Sequence, residues 1–540
     1  MPTFRVFFLL LWLGADLAAQ TVWPKLVVAI TVDQFRYDYL VRFRHHYTGG
    51  IDRLLRQGAV FSNAYYEHFP TVTAVGHSTF LSGATPSVSG IIGNDWYDRE
   101  SGKQVTSVAD DQESTLGGAS RGAAKSASPR RLLVSTLGDE LKMAGRGSKV
   151  IGIALKDRSA ILPAGHMADG AYWFDPQSGN FASSTYYFDK LPAWVEEFNR
   201  SRFADRFAGL KWTSTSGGAA LKTMPSALDV VYYSSLESSP YGNDLVEKFA
   251  EAAVIGERLG KRDATDLLAI SFSANDYIGH QHGPDSPHVR EVSILTDRLL
   301  GQFFQFLDAQ VGMRQVLVVF TADHGVAPLP EVNVQRRMPG GRIAEKTIDA
   351  AIESTLAAKF GEGKWVVGKS GPSRYLNHEL IRQKALNYVE VLEIAAEAVR
   401  AVPHIYRVYT RTDLRKGAVA GDRIDRRVLA GFHDKRAPDL TILADPYYLF
   451  ESRGTSHGLP FQYDAHIPVI FMGPGVKPGR YDFPISANDI APTLATLLDV
   501  LMPSGALGRA LHEILLPFPA SRSASPASAK PQRALGASTR

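Results

Sequence analysis

Five nearly continuous apolar, β-branched runs recur along the chain, and polar residues cluster at their carboxyl ends. Strands that are apolar throughout belong to sheets that are covered on both faces, and such sheets are typically parallel. Segments with the period of an amphipathic helix lie between several runs, as at 132–143 and 291–307. This alternation predicts an α/β fold with a doubly wound, mostly parallel central sheet and helices on both faces. The runs are 26–33, 149–156, 267–273, 316–323 and 467–472.

Two long segments interrupt this pattern. Residues 95–256 are rich in Gly, Ser, Tyr and Trp and contain one core-type strand near Ile151. Residues 326–437 carry helical stretches at 344–359 and 389–402 and a strand at 405–410, which together predict a small α+β lobe beside the site. We expect both segments to be cap elements inserted into a single catalytic domain that spans residues 20–516.

The two ends of the chain differ from this domain. Arg5 precedes an apolar run at 6–13, and the small residues Ala18 and Ala19 follow, which is typical of a cleaved signal peptide over 1–19. The run is too short to span a bilayer, so we expect a periplasmic or secreted protein with no membrane attachment after cleavage. After Leu516, residues 517–540 are dominated by Pro, Ser, Ala and Arg and predict a disordered tail.

Composition narrows the function classes. Hydrophobic residues make up 45% of the chain and charged residues 21%, as in ordinary soluble globular proteins. The net charge of +4 gives no nucleic-acid signature, so we expect no nucleic-acid partner. The chain has no cysteine, which excludes disulfides and lipid attachment at an N-terminal cysteine. The oligomeric state stays open, and a monomer is compatible with the sequence.

A threonine lies between an extended segment and a compact one. Pro70 and the β-branched Val72 favour an extended entry, whereas 74–81 is compatible with a helix that ends at Gly83. Thr73 would then lie at a strand-to-helix turn. The unpaired N–H groups and the positive end of a helix dipole there favour an alkoxide and bind phosphate oxygens. Taken alone, the segment favours an ordinary helix N-cap at this position.

Aspartate and histidine side chains cluster where the apolar runs end. Singly, a strand-end aspartate is usually a helix cap and a His-Gly pair is usually a turn. Their recurrence beside a candidate nucleophile instead indicates an N/O ligand set of the kind that binds zinc, large enough for two sites. The candidate ligands are Asp33, Asp276, His280, Asp323, His324 and His457, together with Thr73.

The order Asp, Thr, Asp-x-x-x-His, Asp-His, His resembles the alkaline phosphatase superfamily. Within it, the chain is most similar to the branch with a threonine nucleophile, which holds the PafA-type alkaline phosphatases and the nucleotide pyrophosphatase/phosphodiesterases. The resemblance extends over nearly the whole chain, through 489–498. It implies two Zn²⁺ ions per subunit and a nucleophilic Thr73. One zinc would be held by Asp276, His280 and His457, and the other by Asp33, Asp323 and His324 with Thr73.

The resemblance also implies a reaction. Two zinc ions can stabilise the attacking and leaving oxygens of an in-line displacement, which here would proceed through a phosphothreonine that water then hydrolyses. It places Lys156 and Arg158 over the phosphate, and Asn94 would donate its amide to a phosphoryl oxygen. Because a monoester dianion carries one more charge than a diester, this cationic pair favours monoesters.

Three functions remain open at this point. The first is a phosphate monoester hydrolase, an alkaline phosphatase that releases inorganic phosphate from small-molecule esters. The second is a phosphodiesterase or nucleotide pyrophosphatase on the same two-zinc site, and the third is a non-catalytic zinc- or phosphate-binding protein. Lys156 and Arg158 favour the first over the second, and the complete nucleophile-plus-ligand set disfavours the third. Nothing in the sequence selects a particular alcohol.

Some further residues invite a functional interpretation that we do not adopt. We expect His77 and His466 to be structural, and His282 to give way to His280 as a ligand. The segment 370–374 matches the sulfatase pattern Ser-x-Pro-x-Arg, but it lies inside the second inserted segment, so we interpret the match as chance.

Overall fold

The computed structural model describes residues 23–119, 126–419 and 421–516, so the predicted signal peptide and the predicted disordered tail lie outside the described residues. Within this part of the chain, eleven strands form one central sheet. They are β1 (Leu26–Val32), β2 (Ala59–Tyr65), β3 (Thr115–Leu116), β4 (Val150–Ala154), β5 (Gly170–Asp175), β6 (Asn180–Ser184), β7 (Asp266–Phe272), β8 (Val316–Thr321), β9 (His466–Met472), β10 (Gly479–Tyr481) and β11 (Ile485–Ser486).

The middle of this sheet is parallel. Across the sheet the order is β10-β2-β9-β8-β1-β7-β4-β5-β6-β3, with β11 beside β2. The pairings are parallel from β8 through β1, β7 and β4 to β5, whereas β9 and β6 run antiparallel to their neighbours. Every residue of β1, β7 and β8 is buried, as their apolar sequences predict. The carboxyl ends of β8, β1, β7 and β4 therefore meet at one edge, where open α/β sheets place their sites.

Helices cover both faces of the sheet, which confirms the predicted doubly wound fold. Tyr172 and Phe174 of β5 pack into one hydrophobic cluster, whereas Ala171 and Trp173, which point to the opposite face, pack into another. Outside the second inserted segment, the described helices are Tyr37–Arg42, Gly50–Gln57, Thr73–Ser82, Pro86–Ser89, Leu137–Met143, Asp157–Ala164, Ala193–Arg200, Val230–Glu237, Pro240–Gly256, Ala274–His282, Pro287–Gln310, Gln462–Ala465 and Ile490–Leu498. None of the helices in the described ranges is both long enough and apolar enough to cross a bilayer.

The segment 95–256 contributes more to the sheet than the sequence predicts. One core strand is expected there, but the described part of the segment provides β3, β4, β5 and β6. β5 and β6 form an antiparallel hairpin that turns at Gly179, whose φ of 71° favours glycine. β6 contains Asn180, Ser183 and Ser184 beside its apolar residues, so it lacks the continuous apolar run that marks the other strands.

The segment 326–437, with the strand that follows it, has a sheet of its own. Its four strands are Val366–Ser370, Ser373–Leu376, Ile405–Thr410 and Leu440–Ala444. We call this unit the second lobe. Its helices are Pro330–Gln335, Lys346–Phe360, His378–Gln383, Tyr388–Arg400, Arg411–Lys416 and Arg423–Gly431.

The sulfatase-like segment 370–374 is the turn between the first two strands of the second lobe. Gly371 has a φ of 52°, which a tight turn requires. Arg374 is fully buried and pairs with Asp349 at 2.5 Å and with Glu345 at 3.1 Å. Its role in this turn is therefore structural.

One predicted helix begins later than its apolar period suggests. The expected helix at 132–143 is observed over Leu137–Met143. The side chain of Thr136 accepts a hydrogen bond from Asp139 N, and the Asp139 side chain in turn bonds the backbone N–H of Thr136. This capping box fixes the start of the helix, so the residues before it follow a different path.

Candidate active site

Four neighbouring strands deliver the predicted site residues to one edge of the sheet. Asp33 directly follows β1, and Lys156 follows β4 after one intervening residue. Asp323 and His324 follow β8 after one intervening residue. β7 leads into the helix Ala274–His282, which carries Asp276 in its first turn and places His280 one turn later on the same face.

The ligand candidates form two groups. In one group the ligand atoms of Asp276, His280 and His457 all lie within 4.8 Å of one another. The same limit holds for Asp33, Asp323 and His324 in the other group. We call them the His280 group and the Asp33 group. The grouping is the one that the resemblance implies, and the rings of His324 and His457 stack with centroids 3.5 Å apart where the two groups meet.

Each histidine is oriented by a backbone carbonyl. His280 Nδ1 lies 2.7 Å from the carbonyl oxygen of Thr455. The corresponding distances are 2.9 Å from His324 Nδ1 to Gly325 O and 2.8 Å from His457 Nδ1 to Thr71 O. A carbonyl only accepts hydrogen bonds, so each Nδ1 is the protonated nitrogen and Nε2 keeps its lone pair for a ligand bond. This arrangement is the usual one for metal-binding histidines in proteins.

The donor atoms fit metal ions. Oδ1 of the fully buried Asp33 accepts no hydrogen bond from any residue in the described ranges. A buried carboxylate oxygen without a donor is costly, and a cation held with Asp323 and His324 would satisfy it. Each group offers both imidazole nitrogen and carboxylate oxygen, a donor set that suits zinc better than magnesium.

The charges of the two groups act on one another. Burial, with the carboxylates of Asp276 and Asp323 nearby, raises the pKa of Asp33 well above its ordinary value. Burial acts on Asp276 as well, but His280 and Lys156 hold the pKa of that carboxyl well below its usual range. Against burial, which lowers it, Asp276 raises the pKa of His280 to about 9. The crowded carboxylates therefore compete for positive charge, which favours cation binding.

Thr73 opens a helix directly beside the Asp33 group. It is the first residue of the helix Thr73–Ser82, and the N-cap is Val72, whose side chain makes no capping bond. The Thr73 hydroxyl lies 3.5 Å from His324 Nε2. It is therefore not the ordinary N-cap that the segment alone favours, and it faces the ligand atoms of the Asp33 group.

Asn94 bonds the helix of Thr73, Lys156 lies between the two groups, and Arg158 follows Lys156 by two residues. Asn94 Oδ1 accepts a hydrogen bond from Ala74 N at 2.8 Å, which leaves its amide nitrogen to donate elsewhere. Lys156 is buried, and its Nζ lies 2.6 Å from both Asp33 Oδ2 and Asp276 Oδ2, so it pairs with one carboxylate from each group. Arg158 lies in the first turn of the helix that follows, and its buried Nε has no partner among the described residues.

Two residues that we did not predict as part of the site support it. His77 places Nδ1 2.9 Å from Thr73 O and 3.2 Å from Asp323 Oδ2, so it connects the turn at Thr73 to a candidate ligand. Gln34 donates its backbone N–H to Asp323 Oδ1 at 3.1 Å and its side-chain amide to Asp276 Oδ1 at 2.6 Å. A single residue thus holds one carboxylate of each group.

The backbone at Gln34 is adapted to this role. Its φ is 61°, a left-handed conformation that residues other than glycine, Asn and Asp rarely adopt. A Cβ at Gly279 would lie 1.8 Å from Gln34 Oε1, so the glycine leaves the space that the amide occupies. Strain of this kind clusters at functional sites.

Substitutions of Gln34 are expected to weaken metal binding more than folding. Gln34→Ala removes the amide and keeps the strained backbone, whereas Gln34→Gly removes the amide and relieves the strain. We expect both variants to bind metal about tenfold to 100-fold more weakly, because outer ligand partners typically contribute this much. Competition with a chelator of known affinity measures this, and thermal unfolding should rank Gln34→Gly above Gln34→Ala. Unchanged metal affinity in both variants would show that Gln34 does not support metal binding.

Known proteins are similar to this chain in sequence. The sequence profile described as type I phosphodiesterase / nucleotide pyrophosphatase matches residues 27–464. The chain belongs to this family. Alkaline phosphatase PafA of Elizabethkingia meningoseptica is 34% identical over 530 residues, which cover 93% of this chain and 96% of that protein. Alkaline phosphatase PhoV of Synechococcus elongatus is 35% identical over 518 residues, with 91% and 93% covered.

The family fold is also found among solved structures. The crystal structure of wild-type alkaline phosphatase PafA superimposes with a TM-score of 0.84 at 34% identity, covering 92% of this chain and 99% of that one. The match confirms the predicted placement of the chain in the alkaline phosphatase superfamily and its alkaline phosphatase-like α/β fold.

Proposed function

We propose that the protein is a metal-dependent phosphate monoester hydrolase, an alkaline phosphatase, that acts through a phosphothreonine at Thr73. The observation that carries the proposal is the position of the Thr73 hydroxyl, at a helix N-terminus and 3.5 Å from His324 Nε2. The names of the relatives, which are alkaline phosphatases, support it. The substrates would be small phosphate esters, and the products an alcohol and inorganic phosphate.

We further propose two zinc ions as the cofactors. Asp276, His280 and His457 would hold one, and Asp33, Asp323 and His324 the other together with Thr73. Bound there, zinc supplies a Lewis acid that lowers the pKa of a hydroxyl and neutralises charge on phosphoryl and leaving-group oxygens. The nitrogen-containing donor set supports zinc over magnesium.

The chain's own groups would then act on the phosphoryl group in turn. Thr73 Oγ1 attacks phosphorus, the alcohol leaves on the opposite side, and water hydrolyses the phosphothreonine in a second in-line step. The amide of Asn94 is free to donate to a phosphoryl oxygen, because its carbonyl is engaged by Ala74 N. When Asp33 and Asp276 bind metal, the Lys156 ammonium is free to pair with a phosphoryl oxygen, next to the guanidinium of Arg158.

A phosphodiesterase or nucleotide pyrophosphatase is the second candidate. The description of the matching family profile favours it, since that profile is named for those activities. A diester has one charge fewer on phosphorus, so Lys156 and Arg158 would be less useful to it. Comparing kcat/KM for p-nitrophenyl phosphate and for its bis-ester separates the two candidates, and we expect the monoester to be hydrolysed faster. A faster bis-ester reaction would favour the phosphodiesterase.

Removal of the cationic pair is expected to reverse part of this preference. Charge-assisted contacts are worth about 1.5–3 kcal/mol each. In the double variant Lys156→Ala/Arg158→Ala, the monoester/diester ratio of kcat/KM should therefore fall by about tenfold or more. The ratio cancels an equal loss of folded enzyme, which matters because Lys156 also pairs with two buried carboxylates.

Arg480→Ala is the matched control for this variant. Arg480 is an exposed arginine whose ion pair is with Asp482 on the surface, so its loss should leave the ratio unchanged. If the double variant keeps the wild-type ratio, the pair does not contact the transferred group, and the choice of a monoesterase loses its main support.

We propose that the enzyme works outside the cytoplasm, in the periplasm or as a secreted protein. The sequence of residues 1–19 supports export. The small net charge of +4 supports small-molecule esters rather than nucleic acid as substrates.

A further inference from the structure

A cavity of about 400 Å³ opens onto the candidate site and has residues of the second lobe in its wall. It is lined by His280 and His457 of the His280 group and by Asn94, but by none of Asp33, Asp323 and His324. Its volume lies in the range of small-molecule binding pockets. The cavity therefore adjoins the side of the site that carries the His280 group.

This is the side on which the alcohol would leave. The hydroxyl of Thr73 lies beside His324, in the Asp33 group. In-line displacement places the leaving group opposite the nucleophile. An alcohol that departs from phosphorus would therefore move away from His324 and toward His280 and His457, whose side chains line the cavity.

The cavity has an apolar wall that comes from two parts of the chain, beside polar and charged residues. Phe69 and Val72 belong to the segment that leads into Thr73. Leu414, Val428 and Phe432 come from the second lobe. Phe69, Leu414 and Val428 are part of one hydrophobic cluster, and Phe432 packs against it. A pocket of this kind binds apolar and aromatic groups.

The charges around the cavity are mainly acidic. Asp95, Glu345 and Glu451 line it, and among the described lining residues the one lysine or arginine is Lys369. Lys369 and Glu345 pair with each other at 2.9 Å and offset one another's charge, so Asp95 and Glu451 supply the negative charge that a ligand anion would meet. An alcohol that carries its own phosphate or carboxylate would meet this negative potential, which selects against it.

We propose that this cavity is the leaving-group subsite and that it selects phosphate monoesters of uncharged, apolar alcohols, aromatic ones in particular, over esters whose alcohol carries a further anionic group. The inference rests on the proposed function, because it names the substrate class of the same site. It also explains the place of the second lobe, which supplies one wall of the cavity.

Truncation of the cavity wall should lower the preference for an aromatic alcohol. Phe432→Ala removes an aromatic wall that is only partly buried, so the fold should tolerate the change. We expect the ratio of kcat/KM for 1-naphthyl phosphate to that for glycerol 3-phosphate to fall about tenfold, because contacts in an apolar pocket are worth this order. Val389→Ala is the control, since Val389 is 46% exposed on a helix of the second lobe and does not line the cavity. An unchanged ratio in Phe432→Ala would overturn the proposal.

Equilibrium binding separates this inference from the proposed function. The Thr73→Ala protein should bind 1-naphthol, followed by its fluorescence, and Phe432→Ala in that background should weaken the binding. If the Thr73→Ala protein binds naphthol but the wild-type protein hydrolyses no monoester, the proposed function is rejected and the subsite is kept. Hydrolysis without naphthol binding, or with binding that Phe432→Ala does not change, would reject the subsite and keep the function.

A third arm tests the charge. Glu451→Gln should raise the rate on 4-carboxyphenyl phosphate relative to 4-carbamoylphenyl phosphate, and the gain should shrink at high ionic strength. The comparison of one variant with the wild-type protein cancels the different reactivities of the two alcohols. An equal change in rate on both substrates would show that the acidic residues of the cavity do not select by charge, and would overturn that part of the proposal.

Discussion

Thr73→Ala is expected to lower kcat/KM for phosphate monoesters by up to about 10⁶-fold, the order seen when a catalytic nucleophile is removed. The reason is chemical, because alanine cannot form the covalent intermediate. The other six candidate ligands keep their contacts, so the variant should fold and bind metal. Steady-state kinetics measures the loss, and metal content and thermal unfolding measure what remains.

Thr73→Ser is the matched control for this variant. It keeps a hydroxyl at the first residue of the helix, so it should retain a large share of the activity that Thr73→Ala loses. A Thr73→Ala enzyme with more than about a tenth of wild-type activity would require another nucleophile or direct attack by water.

Removal of metal should have an effect of the same size. Without a cation the Thr73 hydroxyl keeps its proton at neutral pH, and the carboxylates of Asp33, Asp276 and Asp323 repel the negative charge of a phosphate. We expect dialysis against a chelator to abolish hydrolysis of p-nitrophenyl phosphate, zinc to restore it, and magnesium alone to fail.

The metal content of the protein gives this experiment a second readout. The two groups predict two zinc ions per chain in the active enzyme and fewer than two in His457→Ala, whose side chain belongs to only one group. Full turnover in a preparation shown to contain no more than trace metal would contradict the account. A single bound zinc in the fully active enzyme would contradict the two-site arrangement.

The sequence predicted the fold well where strands are fully buried and made of aliphatic, β-branched residues, which β5 with Tyr172 and Trp173 is not. β1, β7 and β8 are buried on both faces, so their residues are apolar throughout and the pattern is visible without a structure. The β5–β6 hairpin was missed because polar residues interrupt β6. The start of the helix Leu137–Met143 was missed because a capping box, rather than the apolar period, determines it.

The candidate ligands could be predicted because chemistry limits them to few residue types. Aspartate and histidine at strand ends, in a fixed order along the chain, are informative as a set, and the structure brings all six of them into two groups.

The supporting residues could not be predicted in the same way. Gln34 is an ordinary residue type, and its bonds to Asp276 and Asp323 join positions about 240 and 290 residues apart in the chain. The cavity could not be predicted from the sequence either, because its walls come from the segment before Thr73 and from the second lobe. Such contacts depend on tertiary packing, which local sequence patterns do not encode.

Acid quenching of the enzyme during hydrolysis of a phosphate monoester, followed by peptide mapping, tests the central claim most directly. The account predicts one phosphorylated peptide with the phosphate on Thr73, present in the metal-loaded wild-type protein and absent from Thr73→Ala. Phosphate on Ser78 or Thr79, or rapid monoester turnover with no phosphorylated peptide at any quench time, would contradict it.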